Sequence, residues 1–245
     1  MCIRPPSKFQ VDRPIVEVDL NSFPLALCWQ PGKLWNSALP IAKSTDGRVI
    51  IRVAILGSTD EVANKLVEDT ACTWKLYAGI RFKFVLDSET SEIRILGEAG
   101  ETMRLQIVPG NSKSNRRTIL HEFGHALGIE HEHCSPKANI PWDEDAVKAA
   151  NRSKSLGYIQ RNILEVMDET TTTSSPFDPK SIMMYPVSRE CVKGGKFEAK
   201  ETFEISAMDR EWASKCYPLP EPPKDSRSNG KKRRGRKNRH RSPRA

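Results

Sequence analysis

Hydrophobic and polar positions follow clear periods in the first half of the chain. The apolar, β-branched run Val49–Leu56 predicts a buried strand. Ile80, Phe82 and Phe84 alternate with charged residues, which indicates a strand with one buried face. Residues 92–96 predict a further strand. These runs together indicate a sheet that precedes the middle of the chain.

Between the first two runs, apolar residues recur at helical spacing. Ser58 and Glu61 have the separation of a capping box, so a helix is predicted to begin there. One side of this helix is apolar, which is typical of a face packed on a core rather than of a cofactor site. The positions on that side are Ala63, Leu66, Val67, Ala71, Trp74 and Ala78.

The second half of the chain reads as helices separated by long irregular stretches. Helical patterns cover about 117–127, 143–150 and 155–168, and Ser206 with Asp209 opens a final helix. The expected fold class is α+β. A twisted mixed sheet with helices forms an upper half, and a mainly irregular lower half ends in a C-terminal helix.

Charge divides the chain into a neutral body and a basic end. Residues 221–245 hold eleven of the 39 Lys and Arg residues and two of the 31 Asp and Glu residues. Residues 1–220 therefore hold 28 basic and 29 acidic residues. The net charge of +8 therefore belongs to the end of the chain. We expect an irregular N-terminal segment over 1–30, a folded domain over 31–218 and a disordered basic tail over 219–245.

The basic tail admits several functions. It could be a nuclear-import signal, an arm that binds nucleic acid or other polyanions, or a solvated segment without a partner. A further possibility is that the tail carries the main function by binding nucleic acid, while the folded body has no function of its own. No signal peptide is visible at the start, and no stretch is apolar and long enough to span a membrane.

Six cysteines are scattered along the chain at positions 2, 28, 72, 134, 191 and 216. No C-x-x-C pair occurs, so they do not indicate a metal site. Their even number permits three disulfides in any of fifteen pairings.

The most informative chemistry is a histidine motif. Four of the five histidines fall within thirteen residues, and three match H-E-x-x-H-x-x-G-x-x-H at His121, His125 and His131. Residues four apart share a helix face, so the first two imidazoles can reach one zinc ion. Gly128 tolerates the left-handed conformation that ends helices, which lets His131 return to the same ion.

The residue beside the first ligand completes the reaction chemistry. The Glu122 carboxylate would lie near the metal, where it can act as general base toward a zinc-activated water. The alternative is a helix with surface histidines and an incidental carboxylate. His133 fits neither the helix face nor the triplet, and it is expected at the surface or behind the ligands.

A second motif carries a family resemblance. Residues 181–185 read S-I-M-M-Y, which resembles the methionine turn of the metzincin clan in the form typical of astacin-like zinc endopeptidases. By this match Met183 is the turn methionine and Tyr185 the tyrosine. A matrixin-like alignment would instead make Met184 the turn residue. Residues 133–142 look most similar to fungal members.

The resemblance implies a metzincin-like zincin fold and a zinc-dependent metalloendopeptidase acting on proteins or peptides. It implies that one catalytic zinc is held by the three histidines, that Tyr185 binds the resting metal or supports the transition state, and that Met183 lies beneath the site. The segment between residues 95 and 118 looks shorter than in the family, with its substrate-pairing strand at 104–108. The alternative is therefore a weak or inactive zinc-binding homologue.

The family resemblance also implies secretion. No signal peptide is visible, so either the start is incomplete or the protein works inside the cell; given the basic tail, an intracellular or nuclear protein is the alternative.

Overall fold

The computed structural model describes residues 28–29, 34–35, 42–56, 58–87, 89–96, 110–170 and 172–221. Most of the N-terminal segment and of the basic tail lie outside these ranges, as does the shortened segment with its expected strand at 104–108. At the end of the segment expected to be irregular, Cys28–Trp29 form a short strand, β1. In the described part of the chain, no helix has the length and apolarity needed to cross a bilayer.

Three parallel strands form the main described sheet. Strand β2 (Val49–Leu56) lies in the centre, between β3 (Ile80–Val85) and β4 (Ile93–Leu96). The register places Ile51 opposite Phe82. Both strand predictions near the start of the chain are confirmed, and β4 begins one residue later than predicted.

Helix α1 (Glu61–Ala71) follows β2 and continues as a 3-10 helix over Cys72–Leu76. The predicted capping box of Ser58 and Glu61 is wrong. Asp60 is the N-cap, and its side chain accepts a hydrogen bond from Ala63 N. Because Asp60 directly precedes the first helical residue, it caps the helix where Ser58 lies too early.

Helix α2 (Ser112–Ala126) carries the histidine motif and begins five residues earlier than predicted, with Asn111 as its N-cap. Its buried face packs on the sheet, where the rings of Phe123 and Phe82 meet edge to face at 4.8 Å. The indole of Trp74 donates a hydrogen bond to Leu120 O at 3.1 Å. The helix is thereby fixed to both the sheet and the end of α1.

The C-terminal end of α2 is held by side chains from distant parts of the chain. The Trp35 indole donates to Ala126 O at 2.6 Å, and the Tyr217 hydroxyl donates to Leu127 O at 2.9 Å. These bonds satisfy carbonyls that a helix end leaves unpaired. They fix the point at which the chain leaves the helix.

The lower half is less regular. It contains α3 (Glu144–Ala150), α4 (Leu156–Ile159) with a following π-helix (Gln160–Leu164), and a short strand β5 (Thr173–Ser174) paired with β1. The helix predicted over 155–168 therefore ends early. A second core cluster fills this half and comprises Trp142, Val147, Ile159, Ile163, Met184, Tyr185, Val187, Cys191, Val192 and Ala199.

The C-terminal helix α5 spans Ala207–Cys216, and its predicted capping box of Ser206 and Asp209 is confirmed. Cys191 is disulfide-bonded, whereas Cys72, Cys134 and Cys216 carry thiols. Because three of the six carry thiols, the three disulfides that their number permits do not form.

Candidate metal centre and active site

Three imidazoles from α2 and the loop after it converge on one point. His131 Nε2 lies 3.1 Å from His121 Nε2 and 3.0 Å from His125 Nε2. The three ligand atoms all lie within 4.8 Å of one another. The predicted ligand triplet is thus brought together.

Backbone carbonyls orient two of these rings. His121 Nδ1 lies 2.8 Å from Ile182 O, and His125 Nδ1 lies 2.8 Å from Ile129 O. A carbonyl only accepts, so each Nδ1 carries the proton and each Nε2 presents a lone pair to the centre. Gly128 has φ of 84° and ends the helix as predicted, which turns His131 toward the other two rings.

The donor set fits a zinc ion. Zinc binds imidazole nitrogen at about 2.0 to 2.1 Å, and tetrahedral geometry then separates the nitrogens by about 3.4 Å. Burial lowers the pKa of His125 to about 4 and holds the pKa of His121 and of His131 well below the ordinary value. Neutral rings with converging lone pairs are the form that binds a metal.

Glu122 lies on α2 beside the first ligand and is 1% exposed. Its Oε1 has no hydrogen-bond partner among the described residues. Burial raises the pKa of Glu122 well above its ordinary value, while the nearby Arg117 guanidinium opposes this rise. The carboxyl is therefore a buried acid–base group with a free oxygen at the histidine cluster.

The segment that the sequence predicts to be the methionine turn packs against α2. A Cβ added to Gly124 would lie 2.5 Å from Met183 Sδ, so glycine at this helix position lets the methionine approach the backbone. The Met183 carbonyl also accepts a hydrogen bond from Glu132 N at 3.2 Å. Met183 thus contacts both α2 and the loop that carries His131.

A buried carboxylate ties this turn to α5. Asp209 Oδ2 accepts hydrogen bonds from Ile182 N and Ser206 N, both at 2.8 Å, and Oδ1 accepts from the Ser181 hydroxyl at 2.6 Å. Ser181 Oγ in turn accepts from Met183 N at 2.9 Å. The shape of the turn therefore depends on a residue more than twenty positions later in the chain.

Tyr185 follows the turn and lies among the histidine rings. Its ring centroid is 4.2 Å from that of His131 and 5.9 Å from that of His121. Burial raises the pKa of Tyr185 well above its ordinary value, with Tyr158 and Glu122 adding to the rise. The phenol is therefore neutral and able to donate a hydrogen bond.

Comparison with known proteins decides the family. The model of the Astacin peptidase family matches residues 48–199, more than half of the chain. The chain belongs to the astacin family. This membership selects the astacin-like over the matrixin-like alternative, in agreement with the position of Met183 against Gly124.

Spider toxins of the astacin family are among the curated relatives. Astacin-like metalloprotease toxin 5 of Loxosceles gaucho is 33% identical over 76 residues, which cover 31% of this chain and 38% of the toxin. Toxin 4 of Loxosceles laeta is 34% identical over 68 residues, which cover 28% of this chain and 54% of that protein. The matched stretches thus span about a third to a half of these relatives.

Two solved structures share the fold. Myroilysin has a TM-score of 0.66 and 28% identity, covering 78% of this chain and 98% of its own. High choriolytic enzyme 1, a hatching enzyme zinc-protease of Oryzias latipes, has a TM-score of 0.55 and 17% identity, covering 80% and 99%. The expected α+β metzincin fold is confirmed. None of the four relatives named here is described as fungal, so the expected likeness to fungal members gains no support.

Three further residues of this astacin-family site were not assigned a role from the sequence. Arg117 lies one turn of α2 before His121, and its side chain donates a hydrogen bond to Met184 O at 3.1 Å. Burial raises the pKa of the half-buried Tyr158 of α4 to about 12, and the negative charge of Glu122 adds to this rise. No periodic pattern in the sequence indicates that Arg117 or Tyr158 belongs to the site.

His133 is the third; of its two expected positions, the surface one is wrong, and the ring lies behind the cluster, 5.2 Å from that of His131. His133 is 1% exposed and lies in the 3-10 helix Glu132–Cys134. Its Nε2 donates to Asn162 O at 3.1 Å. Burial lowers the pKa of His133 to about 4.

Proposed function

We propose that this chain is a zinc-dependent endopeptidase that hydrolyses peptide bonds in proteins or peptides. One observation carries the proposal: three Nε2 atoms converge beside a buried carboxyl that has a free oxygen. A helix with incidental surface histidines would leave these groups exposed and dispersed. Family membership supports the same reaction.

His121, His125 and His131 would hold the zinc ion. When bound, the ion supplies Lewis-acid chemistry, since it polarises a carbonyl and acidifies water. The carbonyl partners of His121 Nδ1 and His125 Nδ1 keep those rings in the tautomer that this role requires.

Glu122 would move the proton. Its free Oε1 takes a proton from the attacking water and passes it to the leaving amine nitrogen. A raised pKa suits both steps, because the group must accept a proton and release it again near neutral pH. The positive charge of Arg117 keeps the ionised form accessible.

Tyr185 would stabilise the negative oxygen that develops on the substrate carbonyl. A neutral phenol in a buried site is a strong hydrogen-bond donor toward such an oxyanion. Met183 would support the site from below through its contacts with α2 and the Glu132 amide.

Cleavage of an unfolded protein by the purified chain tests the proposal. We expect cleavage that a chelator stops and that one equivalent of zinc restores. Binding of one zinc without any cleavage would support the alternative, a zinc-binding homologue without catalysis. A peptide library in the same assay would define the preferred residues around the cleaved bond.

The basic tail and the compartment are separate proposals. We infer that residues 221–245 bind polyanions, because they hold eleven basic and two acidic residues. Affinity for heparin or nucleic acid should fall steeply with salt and disappear when this segment is removed. We further propose secretion, as the family resemblance implies; recovery of the tagged protein only from the nucleus would contradict it.

A further inference from the structure

The rings of His133 and Tyr185 lie face to face. Their centroids are 4.4 Å apart and the planes differ by 26°. Both side chains are buried, at 1% and 2% exposure. Of the histidine rings around Tyr185, His133 is the one that lies nearly parallel to it at stacking distance, because His131 is tilted by 58° and the His121 centroid is 5.9 Å away.

The His133 ring cannot rotate freely. Asn162 O lies 3.1 Å from Nε2, so that nitrogen donates to the carbonyl and the ring plane is fixed. The carbonyl belongs to the π-helix Gln160–Leu164, a form that is frequent at functional sites. The Trp142 ring lies edge-on to His133, at 6.5 Å and 90°.

His133 does not belong to the metal-ligand set. The cluster with metal-ligand spacing comprises His121, His125 and His131. Because His133 Nε2 donates to Asn162 O, the other ring nitrogen keeps a lone pair, and Nδ1 has no hydrogen-bond partner among the described residues. A neutral imidazole held in one plane against a phenol is suited to fix the position of that phenol.

We propose that His133 is a positioning residue for Tyr185: its ring is the surface on which the phenol rests, and it holds the hydroxyl where the reaction needs it. The inference rests on the proposed peptidase function, in which Tyr185 supports the oxyanion. A displacement of about 1 Å at such a donor can lower turnover by up to about a hundredfold.

Two substitutions separate the ring from its hydrogen bond. His133→Gln places an amide N–H where Nε2 was and keeps the bond to Asn162 O, but it removes the ring. His133→Phe keeps a flat ring beneath Tyr185 but leaves the buried carbonyl without a donor. If His133 only supports the fold, the loss of the hydrogen bond matters; if it positions Tyr185, the loss of the ring matters.

We expect His133→Phe to lower stability more than His133→Gln does, and His133→Gln to lower turnover more than His133→Phe does. His133→Phe should lower the melting temperature of the metal-free protein by about 3 °C while kcat stays within about threefold of the unmutated value. His133→Gln should melt close to the unmutated protein but lose about tenfold in kcat, with KM changed less than about twofold. Zinc content should remain one ion per chain in both variants, which excludes loss of the metal as the cause.

A double-mutant comparison with Tyr185→Phe completes the test. That variant keeps the stacked ring but has no hydroxyl to position, so adding His133→Gln should lower kcat by less than about twofold further. If His133→Phe fails to fold, this comparison carries the test alone. Unchanged kcat in His133→Gln, or the same fold-loss with and without the Tyr185 hydroxyl, would overturn the inference. Absence of cleavage by the unmutated chain would instead overturn the proposed function on which it rests.

Discussion

The Arg117 guanidinium donates a hydrogen bond to the Met184 carbonyl, 3.1 Å away. The bond joins α2 to the residue that directly precedes Tyr185. Arg117 is buried, and its Nε lies 3.4 Å from Glu201 Oε1. Burial lowers the pKa of Arg117, but a guanidinium remains charged in proteins. Arg117 therefore supplies both a fixed positive charge near Glu122 and a hydrogen bond that holds the backbone next to Tyr185.

Arg117→Met should impair both stability and turnover. The Met184 carbonyl loses its donor, which costs about 1 to 3 kcal/mol, and Glu122 loses the cation that favours its ionised form. We expect kcat/KM to fall at least about tenfold. Urea unfolding and steady-state kinetics measure the two effects. Arg116→Met is the matched control, since its partner Glu204 is largely exposed and the pair should contribute less than about 1 kcal/mol. Equal effects at the two arginines would contradict this role.

Gly124→Ala should destabilise the site because the new methyl group would lie 2.5 Å from Met183 Sδ. Overpacking of this kind costs about 1 to 3 kcal/mol, and we expect weaker zinc binding as well. Adding Met183→Ala should relieve the clash, so the double variant should lose less than the sum of the two single losses.

The control for this substitution is Gly157→Ala. A Cβ at Gly157 meets no atom within 4 Å, so the change should be neutral or slightly stabilising. Additive losses at Gly124 and Met183 would mean that the two residues do not act through the contact.

Asp209→Asn should loosen the methionine turn from α5. An amide offers one oxygen where the carboxylate uses two to accept three hydrogen bonds, so its NH2 group would face the Ser181 hydroxyl and the charge that strengthens all three bonds would be lost. The expected loss is about 3 kcal/mol in the free energy of unfolding. Glu211→Gln on the same helix removes only an exposed pair with Lys215 and should cost less than about 0.5 kcal/mol. A loss at Asp209 no larger than at Glu211 would refute the anchoring role.

In the metal-free protein, the buried His125 and His133 each contribute stability that is lost as the pH falls from 6.5 to about 4. Burial lowers the pKa of His125 and of His133 to about 4, so the unfolded chain binds protons in this range and the folded chain does not. Each of these two contributions is full above pH 6.5 and amounts to up to about 3 kcal/mol, whereas the buried Glu122 and Glu132, whose pKa values are raised by burial, change stability in the opposite direction. Urea midpoints at pH 7.5 and 5 with a chelator measure the loss. The change between the two pH values that His133 contributes should be absent in His133→Gln; the same pH dependence in the variant and the unmutated protein would contradict the burial argument.

The cluster of three histidines was predictable because all three lie within eleven residues of sequence. Helix periodicity pairs His121 with His125, and the left-handed glycine turns the chain toward His131. The strands and the final capping box follow in the same way from local patterns. The first capping box failed because Asp60 and Ser58 can both cap, and the sequence does not determine which residue begins the helix.

Residues that act across long sequence separations could not be predicted. Arg117 reaches Met184 over 67 positions, and Asp209 reaches Ile182 over 27. Such contacts depend on how α2, the turn and α5 pack, which no local period encodes. The sequence did not decide between the two positions expected for His133 for a related reason: its ring packs against the distant π-helix that supplies the Asn162 carbonyl.

The most direct test of the central claim is Glu122→Gln, with zinc content and cleavage measured on the same sample. The substitution removes the proton carrier but neither the histidine cluster nor its carbonyl partners. We predict one zinc per chain, an unchanged fold, and a loss of kcat of at least about a hundredfold. Turnover at the unmutated rate with zinc in place would contradict the account.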